Sequence, residues 1–396
     1  MSSGSSKVRR ALIVTGEASG DLHGANLIRA AQQVDPDLSF FGVGGPRMAQ
    51  SGCEILIPGE ELAVMGLVEV IGHLPVILKA LNRLGALLDG EEPPDVLILI
   101  DFPDFNLRLA KRAKRAGVPV LYYVSPQVWA WRQGRVKKIA AVVDRLAAIF
   151  PFEPDYYAGL DIEARYVGNP LLDEVRVTTT RDELLGRFRI DPQATVIGLF
   201  PGSRHNELRY NLETILAAAK ELLRQRPGTQ FLLPVAPTLR RDDFAAAIAA
   251  SGVAVTLVDE SIYDVAAACD AVICVSGTVT LQTALVGTPM AIVYRMAPLT
   301  YAIGKRLVKV PAIGLANIVA GENVVQEFIQ EAATPEAIAG EIGRILDDAP
   351  YRVVMRSALE RIQEKMGEPG CSERVARMAS EMSRGERRSK DCNEDG

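Results

Sequence analysis

Short apolar runs rich in β-branched residues alternate along this chain with longer segments whose apolar residues repeat at helical spacing. The first five runs are 11–14, 39–43, 96–100, 118–124 and 146–150, and five more are 195–200, 230–235, 254–258, 271–275 and 290–294. Short buried strands that alternate with helices are typical of βαβ units, in which helices cover both faces of a parallel sheet. The pattern predicts an α/β protein with two Rossmann-like parallel-sheet domains.

A polar stretch without an apolar run separates the two series. Gly168, Asn169 and Pro170 are turn residues and 176–182 is polar and charged, which places the linker near 170–185. The predicted domains are residues 7–170 and 185–383, followed by a charged, disordered tail over 384–396. Ligands of open α/β sheets bind beyond the carboxyl ends of the strands, so two sheets facing across a cleft would hold two substrates on opposite walls.

Composition and charge exclude several classes of function. The 396 residues are 48% hydrophobic and carry a formal net charge of −5, which favours sizeable cores and disfavours a nucleic-acid partner. Five cysteines without a CxxC pair fit a reducing compartment. The first seven residues lack the apolar segment of a signal peptide, and no uncharged apolar run is long enough to span a bilayer, so we expect neither export nor a membrane span. Three widely spaced histidines predict no metal site.

Two turns of small residues follow predicted strands in the second domain. Pro201-Gly202-Ser203-Arg204 follows the run 195–200, and Ser276-Gly277-Thr278 follows 271–275. The first N–H groups of a helix and the positive end of its dipole favour anions. The two turns together predict a nucleotide diphosphate site, with the Arg204 guanidinium on the diphosphate. The alternatives are a surface ion pair between Arg204 and Glu207, and simple helix capping at 276–278.

The first predicted strand leads into a glycine-rich turn at residues 16–21. This turn departs from the GxGxxG pattern, and the second strand lacks the acidic residue that would bind a ribose, so a dinucleotide oxidoreductase is disfavoured. Glu17 is either an acceptor for sugar hydroxyls or a cap for nearby amides, and the residues alone leave both open.

Asp101 directly follows the apolar run 96–100. A carboxylate at the carboxyl end of a buried strand can act as the general base that deprotonates a sugar hydroxyl. Asp104 follows Pro103 and is predicted to be the N-cap of a helix that begins near Phe105. The alternative is that both carboxylates only stabilise the turn.

Two further segments each allow a functional and a structural interpretation. Residues 125–132 contain both tryptophans, next to Arg135, Lys137 and Lys138, which suits a sugar phosphate or a lipid headgroup, or else a packed core beside a solvated helix. Apolar residues at helical spacing over 67–81 form either a core face or a membrane-surface face, and Pro75 must start or kink a helix there. The candidate membrane or acyl-chain residues are Val68, Val70, Ile71, Leu74, Ile77 and Leu78.

Over about residues 8–380 the chain resembles the lipid-A-disaccharide synthase family of inverting glycosyltransferases, which have the two-domain GT-B architecture. The resemblance rests on nine segments in order: GEASGD (16–21), GPRM (45–48), ELAVMG (61–66), DFPDFN (101–106), YVSP (123–126), VWAWRQ (128–133), PGSR (201–204), SGT (276–278) and YRM (294–296).

The resemblance implies transfer of the sugar of UDP-2,3-diacylglucosamine to the 6-hydroxyl of 2,3-diacylglucosamine 1-phosphate, without a cofactor. It implies that Asp101 is the base, that Glu17 contacts substrate, and that Arg204 binds the diphosphate. The remaining candidates for substrate or nucleotide binding are Ser19, Asn106, Gly202, Ser203, Ser276, Gly277, Thr278 and Gln282. The family acts at the cytoplasmic face of the inner membrane, so the resemblance favours exposure of the 67–81 face. It also allows the last helices to return to the first domain or to exchange between the two chains of a homodimer.

The chain departs from the family pattern at three positions. Gln282 replaces a glutamate that is expected to accept a ribose hydroxyl, Asn169 replaces a common histidine, and Ala316 replaces a usual proline before Asn317. A glutamine can still accept through its carbonyl oxygen, so we expect these changes to adjust donor binding and loop geometry without abolishing activity. The alternatives are another UDP-sugar enzyme of this architecture, such as a UDP-N-acetylglucosamine 2-epimerase, and a catalytically impaired nucleotide-sugar-binding protein at the membrane surface.

Overall fold

The computed structural model describes residues 8–16, 18–62, 67–131, 134–307 and 312–386. The chain divides into two compact units: one contains the residues up to Asp173 together with those from Glu368 onward, and the other is Glu174–Gly367. The second unit is therefore 174–367 where the sequence predicts a domain over 185–383, and the last helix packs on the first unit, a return that the resemblance allows.

The described residues form parallel strands that alternate with helices along the chain. The strands are β1 (Arg9–Thr15), β2 (Leu38–Gly44), β3 (Glu54–Pro58), β4 (Val96–Ile100), β5 (Val120–Tyr123), β6 (Arg145–Ala148), β7 (Glu163–Tyr166), β8 (Val196–Phe200), β9 (Gln230–Pro234), β10 (Thr256–Val258), β11 (Ala271–Val275), β12 (Met290–Tyr294) and β13 (Glu327–Ile329). The α-helices are α1 (Ala18–Val34), α2 (Pro46–Gln50), α3 (Leu67–Leu88), α4 (Pro103–Ala116), α5 (Val128–Trp131), α6 (Arg135–Ala140), α7 (Pro170–Glu174), α8 (Arg181–Arg187), α9 (His205–Gln225), α10 (Asp242–Ser251), α11 (Ile262–Ala268), α12 (Thr278–Val286), α13 (Pro298–Leu307), α14 (Leu315–Ala320), α15 (Pro335–Asp347), α16 (Ala349–Met366) and α17 (Cys371–Ser383).

The first unit is built on a seven-stranded sheet in the order β3-β2-β1-β4-β5-β6-β7. Alternate residues of each central strand enter different cores: Leu12 and Val14 pack with α3 and α4 on one face, whereas Ala11 and Ile13 pack with α1 and α17 on the other. Strands buried on both faces explain why the runs in the sequence are continuously apolar.

The last helix, α17, completes the second face of that sheet. Its residues Val375, Met378 and Met382 are buried in the same core as Ile13, and Arg145 pairs with Glu381 at 2.7 Å. The apolar face of α17 therefore accounts for the return of the chain to the first unit.

The second unit is built on a six-stranded parallel sheet in the order β10-β9-β8-β11-β12-β13. Its main core gathers Leu199 and Ile273 from central strands with Leu212 and Ile342 from α9 and α15. The predicted fold class, α/β with two Rossmann-like parallel-sheet domains, is confirmed.

All ten predicted strands are present, and three strands were not predicted. The three are β3, β7 and β13, each at an edge of its sheet. An edge strand has one neighbour and is only partly buried, so its sequence mixes polar and apolar residues.

Pro75 lies inside α3, so this helix continues across the proline. Among the described helices, none combines the length and the hydropathy needed to cross a bilayer.

Candidate active site

Each sheet changes the direction of its strand order at one place, between β1 and β4 in the first unit and between β8 and β11 in the second. Ligands of doubly wound sheets bind at this switch point, beyond the carboxyl ends of the strands. Asp101 directly follows β4, and the turns 201–204 and 276–278 directly follow β8 and β11. The predicted site residues therefore fall at both switch points.

The backbone of Asp101 adopts an uncommon conformation that is fixed by two hydrogen bonds. Asp101 and Phe102 have φ angles of 48° and 47°, a left-handed geometry that costs roughly 1 kcal/mol or more for each non-glycine residue. The Asp101 carbonyl oxygen accepts a hydrogen bond from Asn106 Nδ2 at 2.7 Å and another from the Tyr122 hydroxyl at 2.7 Å. These bonds offset the strain and hold the turn that carries the half-buried Asp101.

Asn106 was predicted to bind substrate, and its observed contacts are with the backbone of the turn after β4. Its side chain is fully buried, and its Nδ2 donates to the carbonyl oxygens of Ile100 and Asp101. Asn106 therefore positions the turn after β4. Burial raises the pKa of the neighbouring Tyr122 well above its usual value. The Tyr122 hydroxyl therefore stays protonated and can donate its hydrogen bond to the Asp101 carbonyl oxygen.

The glycine-rich turn after β1 lies against the Asp101 turn. A Cβ atom on Gly16 would come within 2.7 Å of the Phe102 ring, and one on Gly20 within 1.8 Å of Thr15 Oγ1. Glycine at these positions therefore lets the two turns and the start of α1 approach closely. Ser19 is exposed in the first turn of α1, and Glu17 lies outside the described residues.

Asp104 is not the N-cap of α4, contrary to the prediction. Phe102 occupies the N-cap position, and Asp104 is exposed and forms an ion pair with Arg135 at 2.9 Å.

The structural interpretation of Trp129 is confirmed, because this side chain is buried and meets Phe150 and Phe152 edge to face. The side chain of Trp131 lies outside the described residues.

Trp129 also makes a polar contact inside this core. Its Nε1 donates to Glu153 at 3.2 Å, and the other carboxylate oxygen accepts from the backbone N–H groups of Ile149 and Phe150. Burial raises the pKa of Glu153 to about 7, although the three hydrogen bonds act in the opposite direction. Sequence reasoning missed this residue, because nothing in the local pattern around 153 marks a buried carboxylate.

A cavity of about 590 Å³ lies at the switch point of the second unit. It is bordered by both predicted phosphate-binding turns, by Gln282 on α12 and by 234–237 and 259–262 from the ends of the neighbouring strands. This volume lies within the range of about 300–1,000 Å³ that is usual for ligand pockets. The geometry therefore brings Gly202, Ser203, Arg204, Ser276, Gly277, Thr278 and Gln282 together around one cavity.

The turn after β8 is stabilised from within. Gly202 has a φ of 114°, and the Ser203 N–H donates to the Glu207 carboxylate at 2.8 Å. Arg204 is the exposed N-cap residue of α9, and within the described part of the chain it has no ion pair. The alternative of an Arg204–Glu207 pair is therefore not observed, and the guanidinium borders the cavity.

The turn after β11 presents an uncapped helix. Gly277 has a φ of 154°, and no side chain of this N-cap residue bonds the first N–H groups of α12. The Ser276 hydroxyl donates to the carbonyl oxygen of Ile313 at 2.7 Å, so its proton is committed to the loop before α14. Among the described residues no side-chain cap covers the start of α12, at Thr278, where the first N–H groups and the positive end of the helix dipole lie.

The three departures from the family pattern have identifiable contacts. Gln282 Nε2 donates to the Tyr263 hydroxyl at 3.3 Å, and within the described residues its carbonyl oxygen has no partner. Asn169 bridges the carbonyl oxygen of Ile149 and the N–H of Leu171. The Ala316 N–H donates to Thr280 Oγ1 at 3.4 Å, a bond that a proline could not make.

Sequence reasoning also missed a polar network behind the cavity of the second unit. Glu327 accepts hydrogen bonds from the N–H groups of Ile313 and Gly314 and from Asn317 Nδ2. Because Ser276 bonds the carbonyl of Ile313, this network fixes the loop against which the second turn rests. The partners are ten or more residues apart in sequence, so no local motif reveals them.

The predicted membrane face on α3 is described only in part. Leu78 and Val76 are 45% and 39% exposed, whereas Ile77 is half-buried against the core of the first unit, so Ile77 does not belong to the exposed side. The side chains of Val68, Val70, Ile71 and Leu74 lie outside the described residues.

Two doubly wound domains with candidate sites at both switch points define the fold of the GT-B nucleotide-sugar enzymes. Solved structures with this fold include a Staphylococcus aureus MnaA–UDP co-structure, with a TM-score of 0.61 and 12% identity over 94% of this chain and 96% of that one. Sucrose-phosphate synthase from Thermosynechococcus elongatus has a TM-score of 0.53 and 15% identity over 95% and 98%. At such identities the likeness establishes the fold alone.

Sequence comparison is more specific. The family model described as lipid-A-disaccharide synthetase matches residues 11–377. The lipid-A-disaccharide synthase of Syntrophotalea carbinolica is 66% identical over 376 residues, which are 95% of this chain and 96% of that protein. That of Geobacter metallireducens is 53% identical over 379 residues, 96% and 98% of the two chains. The chain belongs to the lipid-A-disaccharide synthase family, as its motifs predicted.

Proposed function

We propose that this protein transfers 2,3-diacylglucosamine from its UDP derivative to the 6-hydroxyl of 2,3-diacylglucosamine 1-phosphate. The products are the β-1,6-linked disaccharide 1-phosphate and UDP, and the configuration of the anomeric carbon is inverted. Membership of the family over residues 11–377 is the observation that carries this proposal. The candidate base in one unit and the candidate nucleotide cavity in the other agree with it.

Asp101 is the general base of the proposed reaction. Its carboxylate accepts the proton of the acceptor 6-hydroxyl while the hydroxyl oxygen forms a bond to the anomeric carbon. The bond between that carbon and the UDP oxygen breaks, and its electron pair leaves with UDP. One displacement of this kind inverts the anomeric configuration. The bonds from Asn106 and Tyr122 to the Asp101 backbone support a fixed position for the base.

The cavity of the second unit binds UDP in this proposal. The start of α12 and the Arg204 guanidinium stabilise the negative charge that grows on the diphosphate as the bond breaks. The free carbonyl oxygen of Gln282 accepts a ribose hydroxyl, while its amide stays on Tyr263. Gly202 and Gly277 supply the positive φ angles of the two turns.

In this proposal the enzyme acts as a peripheral protein at the cytoplasmic face of the inner membrane, where it meets its acylated substrates. The exposure of Val76 and Leu78 on α3 supports this part of the proposal.

A homodimer with exchanged C-terminal segments would preserve the contacts between α17 and α1, because each first unit would receive the same helix from the other chain. Light scattering in detergent and flotation with liposomes test these two statements separately.

The defining experiment measures UDP release from UDP-2,3-diacylglucosamine in mixed micelles, with and without the acylated acceptor phosphate. Release that depends on the acceptor, with the disaccharide 1-phosphate as product, is the expected result. Donor binding without release would favour a nucleotide-sugar-binding protein. Turnover of a non-acylated UDP sugar without detergent would favour an epimerase-like activity.

A further inference from the structure

A second cavity, of about 630 Å³, lies in the first unit at the carboxyl ends of β1, β2 and β3. The surface that lines it is mostly apolar. Its walls are Thr15 and Gly16 at the end of β1, residues 44–47 and Ala49 from the end of β2 into α2, Ile55 on β3 and the turn 58–60. Neither the base nor the nucleotide turns border this cavity, so it has no role in the mechanism described above.

One wall of the cavity is continuous with the Asp101 turn. Thr15 pairs with Ile100, the residue before Asp101, in the register of β1 and β4. Gly16 lies so close to Phe102 that a Cβ atom would be 2.7 Å from the ring. A sugar whose hydroxyl reaches Asp101 therefore lies beside the walls formed by Thr15 and Gly16.

The charged side chains at the cavity leave its interior apolar. Asp21 is buried, but its carboxylate accepts hydrogen bonds from the N–H groups of Gly45, Arg47 and Met48 at 2.8–3.1 Å. Arg47 and Glu60 are exposed, so their charged groups are solvated at the opening of the cavity and leave its interior apolar. A carboxylate that is already satisfied and an apolar lining fit a hydrocarbon chain better than a second sugar.

We propose that this cavity binds an acyl chain of the acceptor, the acylated glucosamine 1-phosphate whose hydroxyl Asp101 deprotonates. The inference rests on the proposed function. The acceptor is favoured over the donor because the base and this cavity belong to the same unit, whereas the UDP cavity belongs to the other. The size of the cavity then determines which acyl-chain lengths of the acceptor bind well. Each additional buried methylene strengthens acceptor binding about fourfold until the cavity is filled.

Ala49 offers a way to fill the cavity without disturbing a core. It is exposed on the short helix α2 and borders the cavity. The neighbouring Gln50 is also exposed on α2 but does not border the cavity. Ala49→Phe and Gln50→Phe therefore form a matched pair, and their melting temperatures report whether both fold like the wild type.

The test measures the KM of acceptors that share one sugar phosphate and differ in acyl-chain length, in the same detergent for all variants. For Ala49→Phe we expect an increase of at least tenfold in KM for long-chain acceptors, little change for short-chain acceptors and an unchanged donor KM. Gln50→Phe should match the wild type at every length. Equal chain-length profiles for the two variants would overturn the inference, as would an increase confined to the donor KM. Wild-type turnover distinguishes either result from failure of the proposed function, which would abolish acceptor-dependent UDP release itself.

Discussion

The Tyr122 hydroxyl donates a hydrogen bond of 2.7 Å to the backbone carbonyl of Asp101. The two residues are on neighbouring strand ends, and the bond joins a buried tyrosine to a turn with a φ of 48°. A strained turn that carries the proposed base needs such support, because small displacements of a catalytic group reduce the rate strongly.

Tyr122→Phe removes this bond and leaves the ring in place. We expect kcat to fall about tenfold or more, the donor KM to stay unchanged, and the free energy of unfolding to fall by about 1 kcal/mol. Steady-state kinetics and thermal unfolding measure the two effects. Tyr123→Phe is the control, because the Tyr123 hydroxyl lies 3.4 Å from Cys371 Sγ, away from Asp101. Equal kcat values for the two variants would contradict a positioning role of Tyr122.

Glu153 predicts a dependence of stability on pH. Burial raises its pKa from the usual 4.5 to about 7 in the folded protein, so the folded state holds a proton that the unfolded state releases. The contribution of this group is therefore most favourable below pH 4.5 and is lost as pH rises to about 7, by an amount of about 3 kcal/mol. Chemical denaturation between pH 4.5 and 8 should show a smaller decline for Glu153→Gln than for the wild type. Parallel curves would show that folding does not raise the pKa of Glu153.

Arg204→Ala should weaken the interaction with the donor diphosphate. Loss of a charge-assisted contact that strengthens in the transition state is expected to lower kcat/KM for the donor by about 10- to 100-fold. Arg209→Ala is the control, because Arg209 lies on the same helix, near the Tyr210 ring, and does not border the cavity. If both variants keep the wild-type kcat/KM, the diphosphate does not bind at Arg204.

Gln282→Glu tests the ribose contact. A carboxylate accepts a stronger hydrogen bond from a ribose hydroxyl than an amide carbonyl does. The Tyr263 hydroxyl can turn to donate a hydrogen bond to the new carboxylate, so the KM for the UDP-sugar donor should fall several-fold. Gln282→Leu, which has no acceptor, should raise the donor KM. No gain in donor affinity for the glutamate variant would remove Gln282 from the ribose site.

The sequence predicts the central strands and the two turns of small residues after β8 and β11 because those signals are local. Continuous apolar runs mark β4 and β11, and small residues follow them directly. The edge strands β3, β7 and β13 escaped prediction because partial burial blurs their pattern. Roles that depend on distant partners were also missed: Asn106 could be assigned to the Asp101 backbone, and Glu153 to Trp129, only once the fold had brought them together.

Acceptor-dependent UDP release by Asp101→Asn, compared with the wild type at saturating donor, tests the central claim most directly. The substitution keeps the size of the side chain and the backbone bonds of the turn but removes the base. The account predicts a loss of about 10²- to 10⁴-fold in kcat with donor affinity retained. A variant that releases UDP at the wild-type rate would contradict the assignment of Asp101 as the base.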